Sequence, residues 1–503
     1  MPATTPSAKP PKLVLCVIDA MAPAMLEQAV AAGVAPVLAT LIERGRYVPD
    51  CVAAFPSVTP VCAASIVTGL GQDAHRIPGM NWYLREERRY VEYGSSFRSA
   101  QRFGIGRQLT DTVYNMNRAH LAAETPTVFE TLDDADVRTA GTTYLMYRGR
   151  HRHEPQRDTA LTRVASTLMR HSVMGPRELF YADIFASRRT GCRSGLGMPG
   201  VRDRHSGCVS SYMVERDLFD FLLLSLPDND WHSHKRGPDA QLQSLAQADL
   251  QLARVCEAAG GIDEFLAEHA VIAMADHSQA PVTETIALQD ELADLGVLAP
   301  PRGGETREPH IAVCPSQRAA MVYALHESER DAMRASVVAR ALATEGVEHV
   351  IWLARDAHDR VSEGIVSSRE HGELRFSPGG DLQDPRGARW SVEGPLAAID
   401  GSVRDGVLHT PAFPDVLARV WSALTCPSSG EVLLSAAPGY EFLDWGRQAH
   451  VGGGSHGSLH ASDSLGALIA CGVELPAQEP GQWAIRDVAP IVLAHFGASA
   501  ASV

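Results

Sequence analysis

Leu13-Val14-Leu15-Cys16-Val17-Ile18-Asp19 is the stretch on which the fold turns. Six apolar residues in a row, with no alternation, match a strand buried on both faces of a parallel sheet. The run stops at a carboxylate, and open α/β sheets place their ligands at the carboxyl ends of their strands. The pattern returns twice. Leu218–Leu226 predicts a second buried strand, running into Pro227-Asp228-Asn229-Asp230-Trp231-His232-Ser233-His234. His269–Ala275 predicts a third, running into Asp276-His277. Ala22–Arg46 and Asp239–Gly260 have helical spacing between them, while Gly430–Ser435 and Ser464–Gly472 predict further strands and Ile485–Phe496 a closing helix. Strands alternating with helices predict an α/β sandwich: a mostly parallel central sheet with helices on both faces.

With 503 residues the chain is long for one simple domain, so an inserted lobe is expected. The strand-end motifs lie in residues 12–282 and 430–503, which are expected to form the core. Residues 283–429, with the Pro/Gly/charged segment Pro300–Glu308, are expected to be an insertion or cap, and 1–11 a disordered polar tail. The net charge of −15 and the lack of a long Lys/Arg run argue against an extended nucleic-acid surface. An anionic substrate must then be drawn in locally, by metal ions or a few arginines. Nine cysteines, an odd number with no Cys-x-x-Cys pair, suit free thiols in a reducing compartment. Cys192 and Cys208 flank His205 in Phe185–Ser210, a stretch expected to be a long surface or lid loop. No apolar run reaches the length of a signal core or a membrane span. These features predict a cytoplasmic protein with no membrane span, for which an oligomer is open.

Phe55-Pro56-Ser57-Val58-Thr59-Pro60 opens a small, apolar helical run to Gly69, with Thr59 expected as N-cap and Pro60 at N1. A hydroxyl there sits in the positive field of a helix N-terminus, which favours an alkoxide or a phosphate oxygen. Asn81 follows in a Gly/Pro-rich loop, and His456 lies in the glycine-rich turn His450-Val451-Gly452-Gly453-Gly454-Ser455-His456-Gly457. Asp19, Asp230, His234, Asp276, His277 and His456 are the oxygen and nitrogen donors that a zinc-like ion takes. Six such ligands suffice for two ions, with places left for a nucleophile and a substrate oxygen.

Taken together these segments resemble the alkaline phosphatase superfamily, in its type I phosphodiesterase and nucleotide pyrophosphatase branch. Phe55-Pro56-Ser57-Val58-Thr59 is similar to that branch's nucleophile motif, and Asp230-x-x-x-His234-Lys235-x-Gly237-Pro238 to its Asp-x-x-Gly-His-x-x-Gly-Pro motif. Asp276-His277 and Gly454-Ser455-His456-Gly457 resemble its remaining metal motifs. The chain departs from the pattern at Ala20-Met21 and at Ser233, where the family has glycine. Asp228 with His232 offers a second Asp-x-x-x-His reading, although Lys235-Arg236-Gly237-Pro238 sets the register for Asp230 and His234.

The resemblance implies one divalent ion, most naturally Zn2+, on Asp230, His234 and His456. A second would sit on Asp19, Asp276 and His277, with Thr59 as its fourth ligand and as nucleophile. Asn81 would contact the phosphoryl oxygens. The implied activity is hydrolysis of a small phosphodiester or nucleotide pyrophosphate through a phosphothreonine. A phosphonate C–P hydrolase or a phosphomonoesterase on the same site is the alternative, and a metal-binding protein without catalysis the remote one. The missing Cys-x-Pro-x-Arg motif argues against sulfatase chemistry.

Overall fold

The computed structural model describes residues 10–304, 306–355, 361–476 and 481–499, so most of the expected 1–11 tail lies outside the described residues. The strand Lys12–Ile18 lies inside an eight-stranded sheet. It is flanked in parallel by Phe221–Leu226 and His269–Met274, in register from Leu13 opposite both Phe221 and Ala270. Thr139–Gly141 and Glu178–Tyr181 extend the parallel part on one side. Leu465–Cys471 and Arg46–Val52 close the other side antiparallel.

Side chains of the central strands alternate between two cores. Val14, Cys16, Ile18, Leu222 and Leu224 face the helices Pro23–Ala31, Pro36–Arg44, Arg202–Glu215 and Gln241–Glu257. Leu13, Leu15, Val17, Phe221 and Leu223 face Thr59–Thr68, Val128–Asp134 and Val488–His495. Both faces of each strand are therefore apolar, which is why the sequence shows runs rather than alternation. The fold is a mixed α/β sandwich, a large central sheet flanked by helices, with an inserted lobe.

That lobe is built on a nine-stranded, mainly antiparallel sheet running from Ile311–Ser316 to Ser402–Arg404, with Arg330–Ala343 packed on it. The expected core boundary at residue 430 is corrected here. Val432–Ala436 pairs with Ala319–Ala324 and Val347–Arg355 and belongs to the second sheet. An apolar strand carries no mark of which sheet will accept its hydrogen bonds. A three-stranded sheet (Gly439–Phe442, Ala280–Ile286, Gly454–Ser455) joins the lobe to the main body.

Two further expectations change. Part of the predicted 185–210 loop is helix, Arg202–Glu215, whose mixed polar surface hides its periodicity. Cys192 and Cys208 are joined as a disulfide, so neither is a soft metal ligand beside His205; the other seven cysteines are free and buried.

The two sheets are pinned together by a buried ion pair. Arg318, in the turn after Ile311–Ser316, donates to the Asp463 carboxylate, and its other nitrogens donate to Tyr440 O (3.1 Å) and Ala437 O (3.0 Å). Asp463 in turn accepts from Ser458 N, and Arg318 N donates to His456 O. Removing one partner of such a pair leaves a charge buried without compensation. Arg318→Ala should therefore lower stability by about 3–5 kcal/mol in denaturant unfolding; a loss below about 1 kcal/mol would show that the pair does not hold the lobes.

Candidate metal centre

Asp19 ends the first strand, and its backbone is held from two sides. Asn229 Nδ2 donates to Asp19 O (2.8 Å), and Gln241 bonds both Ala20 O and Ala22 N. Ala20 takes φ +57°, the left-handed region where glycine is at ease, so alanine there carries some backbone strain. Ala20 N donates to Asp276 Oδ1, which brings the ends of two neighbouring strands together.

Thr59 is the first residue of the helix Thr59–Thr68; Val58, rather than Thr59, is its N-cap. The side chain of Thr59 is thereby spared a capping bond, and its Oγ1 lies 3.3 Å from His277 Nε2. The preceding Ser57 is locked to the His456 turn, with Gly457 N donating to Ser57 Oγ (3.0 Å) and His456 Nδ1 bonded to Ser57 O (2.7 Å).

Asp230 and His234 lie on a helix, Asp228–Arg236, rather than in the expected strand-end loop. At i and i+4 they share one face, with His234 Nε2 3.3 Å from Asp230 Oδ2. Asp228 is turned elsewhere: it accepts from Gly200 N, Arg202 Nε and Asp203 N, tying this helix to Arg202–Glu215. Of the two Asp-x-x-x-His readings, Asp230 with His234 is the pair that faces the other strand ends.

The six residues meet. The ligand atoms of Asp19, Asp276 and His277 lie within 4.8 Å of one another, as do those of Asp230, His277 and His456. His277 Nε2 stands 3.5 Å from Asp19 Oδ1 and 3.6 Å from Asp276 Oδ2. His456 Nε2 stands 3.5 Å from Asp230 Oδ1. His277 stacks on His456, so it adjoins both groups, while His234 joins through Asp230.

Each imidazole spends Nδ1 on a backbone carbonyl: His234 on Gly454 O (2.8 Å), His277 on Ser278 O (3.1 Å), His456 on Ser57 O (2.7 Å). In the neutral ring this leaves every Nε2 lone pair turned toward the carboxylates. Three acceptor nitrogens facing three carboxylates want a cation, and this outer bonding is the usual way a ligating histidine is oriented. Asp19 Oδ1 and Asp276 Oδ2 are buried with no hydrogen-bond partner.

The electrostatics agree. Burial, then the facing carboxylates of Asp276 and Asp230, push Asp19 well above the ordinary range, and burial also raises Asp276. Burial opposes ionisation of Asp230 too, but His234, His456 and His277 outweigh it and hold that carboxyl low. Burial and then His277 draw His456 well below a normal histidine. The residues fit divalent metal.

Asn81 sits apart from these contacts. Its amide Nδ2 donates to Val91 O (3.0 Å), its Oδ1 is buried without a partner, and Ser316 Oγ bonds its backbone N. The motif reading left out Gln279, whose Nε2 donates to Asp230 Oδ1 (2.5 Å), and Asn229, which holds Asp19. Their signal was present: each is within three residues of a named ligand.

Clusters of this kind at the carboxyl edge of an α/β sandwich suit a metal-dependent hydrolase. A family model described as type I phosphodiesterase / nucleotide pyrophosphatase matches residues 13–383, well over half of the chain. The chain belongs to that family, one of phosphoric ester hydrolases. No curated protein matches the sequence.

Among solved structures, murine ectonucleotide pyrophosphatase / phosphodiesterase 5, as an inactive threonine-to-alanine variant in complex with AMP, covers 98% of this chain and 96% of its own. Its identity is 12% and its TM-score 0.57. The same murine enzyme without the substitution gives 12% and 0.56, and human ectonucleotide pyrophosphatase / phosphodiesterase 5 gives 13% and 0.54, with the same coverage. At these identities the likeness speaks for the fold. The cytoplasmic expectation is corrected: these relatives are ecto-enzymes by name, and the Cys192–Cys208 disulfide belongs to oxidising surroundings. No single helix among the described residues is long and apolar enough to cross a membrane.

Metal uptake should register as stability. Zn2+ titrated into chelator-stripped protein should raise Tm, by about 2.7 kcal/mol of added stability at a hundredfold excess over Kd. Asp276→Asn keeps the acceptor for Ala20 N and removes one crowded carboxylate. It should leave the stripped protein as stable as wild type or more so, while abolishing much of the Zn2+-dependent rise. An undiminished rise in that variant would exclude Asp276 as a ligand.

Proposed function

We propose that the protein hydrolyses a small phosphodiester or nucleotide pyrophosphate, with Thr59 Oγ1 as the nucleophile. The observation that supports this best is the position of that hydroxyl: it stands at a helix N-terminus, 3.3 Å from an imidazole nitrogen that both donor groups share. The murine relative described as an inactive threonine-to-alanine variant with AMP points the same way, to a threonine and a nucleotide.

Asp230, His234 and His456 would hold one ion and Asp19, Asp276 and His277, with Thr59, the other; zinc suits this mixed nitrogen and oxygen set. When bound, two such ions supply Lewis-acid stabilisation to the attacking and leaving oxygens of an in-line displacement. The chain's own groups do the rest. Thr59 Oγ1 attacks phosphorus, the bond to the leaving oxygen breaks, and a phosphothreonine results. Water then cleaves the Oγ1–P ester and returns the hydroxyl. The backbone N–H of Thr59 would meet a phosphoryl oxygen; it is the free amide of this turn, because Pro60 carries no N–H and Val61 N and Cys62 N both donate to Val58 O. Asn81 has one Nδ2 hydrogen committed to Val91 O, which leaves the second for a phosphoryl oxygen.

Thr59→Ala should reduce turnover of bis-p-nitrophenyl phosphate by about 10³-fold or more while the protein still takes up Zn2+. Activity near the wild-type level would exclude the covalent mechanism. Faster turnover of the p-nitrophenyl monoester, or C–P cleavage of phosphonoacetate with no diester turnover, would replace the diester reading while keeping the same nucleophile.

A further inference from the structure

A buried carboxylate beside the centre belongs to none of the motifs. Glu441, 2% exposed, lies on Gly439–Phe442 in the small joining sheet. It accepts three hydrogen bonds: from His450 N (2.6 Å), His450 Nδ1 (2.8 Å) and Ser455 Oγ (2.9 Å). Glu441 thus holds both ends of the 450–455 turn. The middle of the turn is held by the strand Ala280–Ile286, where Gly452 N donates to Val282 O and Val282 N to Gly453 O, and a Cβ on Gly453 would lie 2.0 Å from His234 O, an approach only glycine permits.

The turn touches His234 twice. Gly454 O takes its Nδ1, and the His450 ring stacks on its face, with centroids 4.0 Å apart and planes 28° from parallel. One contact fixes which edge of the imidazole points away, and the other prevents the ring from turning. Ser455 leads directly into His456. His234 is thus held by a turn whose ends are both tied to one carboxylate, and His456, whose ring is also bonded to Ser57 O, is joined to the same turn through Ser455. Asp19, Asp276 and His277 have separate anchors in Ala20 N, Ser278 O and Asn229.

We propose that Glu441 is a positioning residue for the Asp230, His234 and His456 side of the centre, acting through His450 and the 450–455 turn. A carboxylate bonded to an imidazole just outside a metal site is a recurrent way of fixing ligand geometry, and its removal typically costs 10–100-fold in metal affinity. The case here is indirect: the imidazole that Glu441 holds is packed against a ligand.

This inference rests on the two-ion reading above, and the test separates the two. Zn2+ is titrated into chelator-stripped wild type, Glu441→Gln and His450→Phe against a competing chromogenic chelator, with the Tm of each stripped protein measured in parallel. Wild type should take up two ions. Glu441→Gln, which keeps the size and an acceptor, should bind one of them about 10–100-fold more weakly and the other unchanged. His450→Phe keeps a ring against His234, loses the bond to Glu441, and should weaken the same ion. Stripped-state Tm should stay close to wild type. Two ions at wild-type affinity in both variants would overturn the proposal, as would equal weakening of both ions together with a large fall in stripped-state Tm. A wild-type chain that takes up no ion would instead overturn the two-ion reading, and this inference with it.

Discussion

Three carboxylates, Asp19, Asp230 and Asp276, are forced together where strands end and a helix begins, and the rest of the molecule is arranged around that crowding. Like charges at such range in a buried site raise one another's pKa and resist ionising together. A protein without a use for the arrangement would relieve it with an amide or a wider loop. Here it is reinforced: Asn229 and Gln241 hold the Asp19 turn, Gln279 holds Asp230, and Ala20 accepts a left-handed backbone to reach Asp276. Three imidazoles then turn their second nitrogens into the same space. Bound divalent metal would resolve the conflict.

The fold explains how the groups reach one place. Parallel strands put all their carboxyl ends on one edge, so Asp19 and Asp276 arrive there by topology alone, with the helix carrying Asp230 and His234 directly after the strand Phe221–Leu226. His456 comes from much later in the chain, brought in by the turn clamped to Ser57 and by the Arg318–Asp463 pair that docks the second sheet. The inserted lobe is thus a structural partner of the centre as well as an appendage to it.

Much of this could be read from the residues. Uninterrupted apolar runs ending in Asp gave the buried strands and their functional edge, because burial on both faces leaves a plain mark on composition. The segment 228–236 was harder: Asp-Asn-Asp-Trp-His-Ser-His-Lys-Arg has no apolar stripe, so its helix is visible only through the i, i+4 spacing of its ligands. The helix Arg202–Glu215 was hidden in the same way. Pairing between distant segments leaves no local trace either, which is why Val432–Ala436 was assigned to the other sheet and the Cys192–Cys208 bond went unread. Glu441 is a lone glutamate in an ordinary strand, and only its three donors reveal its place.

The most direct measurement is a crystal structure of the Zn2+-loaded protein with data at the zinc edge. The account predicts two anomalous peaks about 4 Å apart, one beside Asp19, Asp276, His277 and Thr59 Oγ1, the other beside Asp230, His234 and His456. A protein that crystallises with Zn2+ and shows no peak between these residues, or shows its peaks elsewhere, would contradict it.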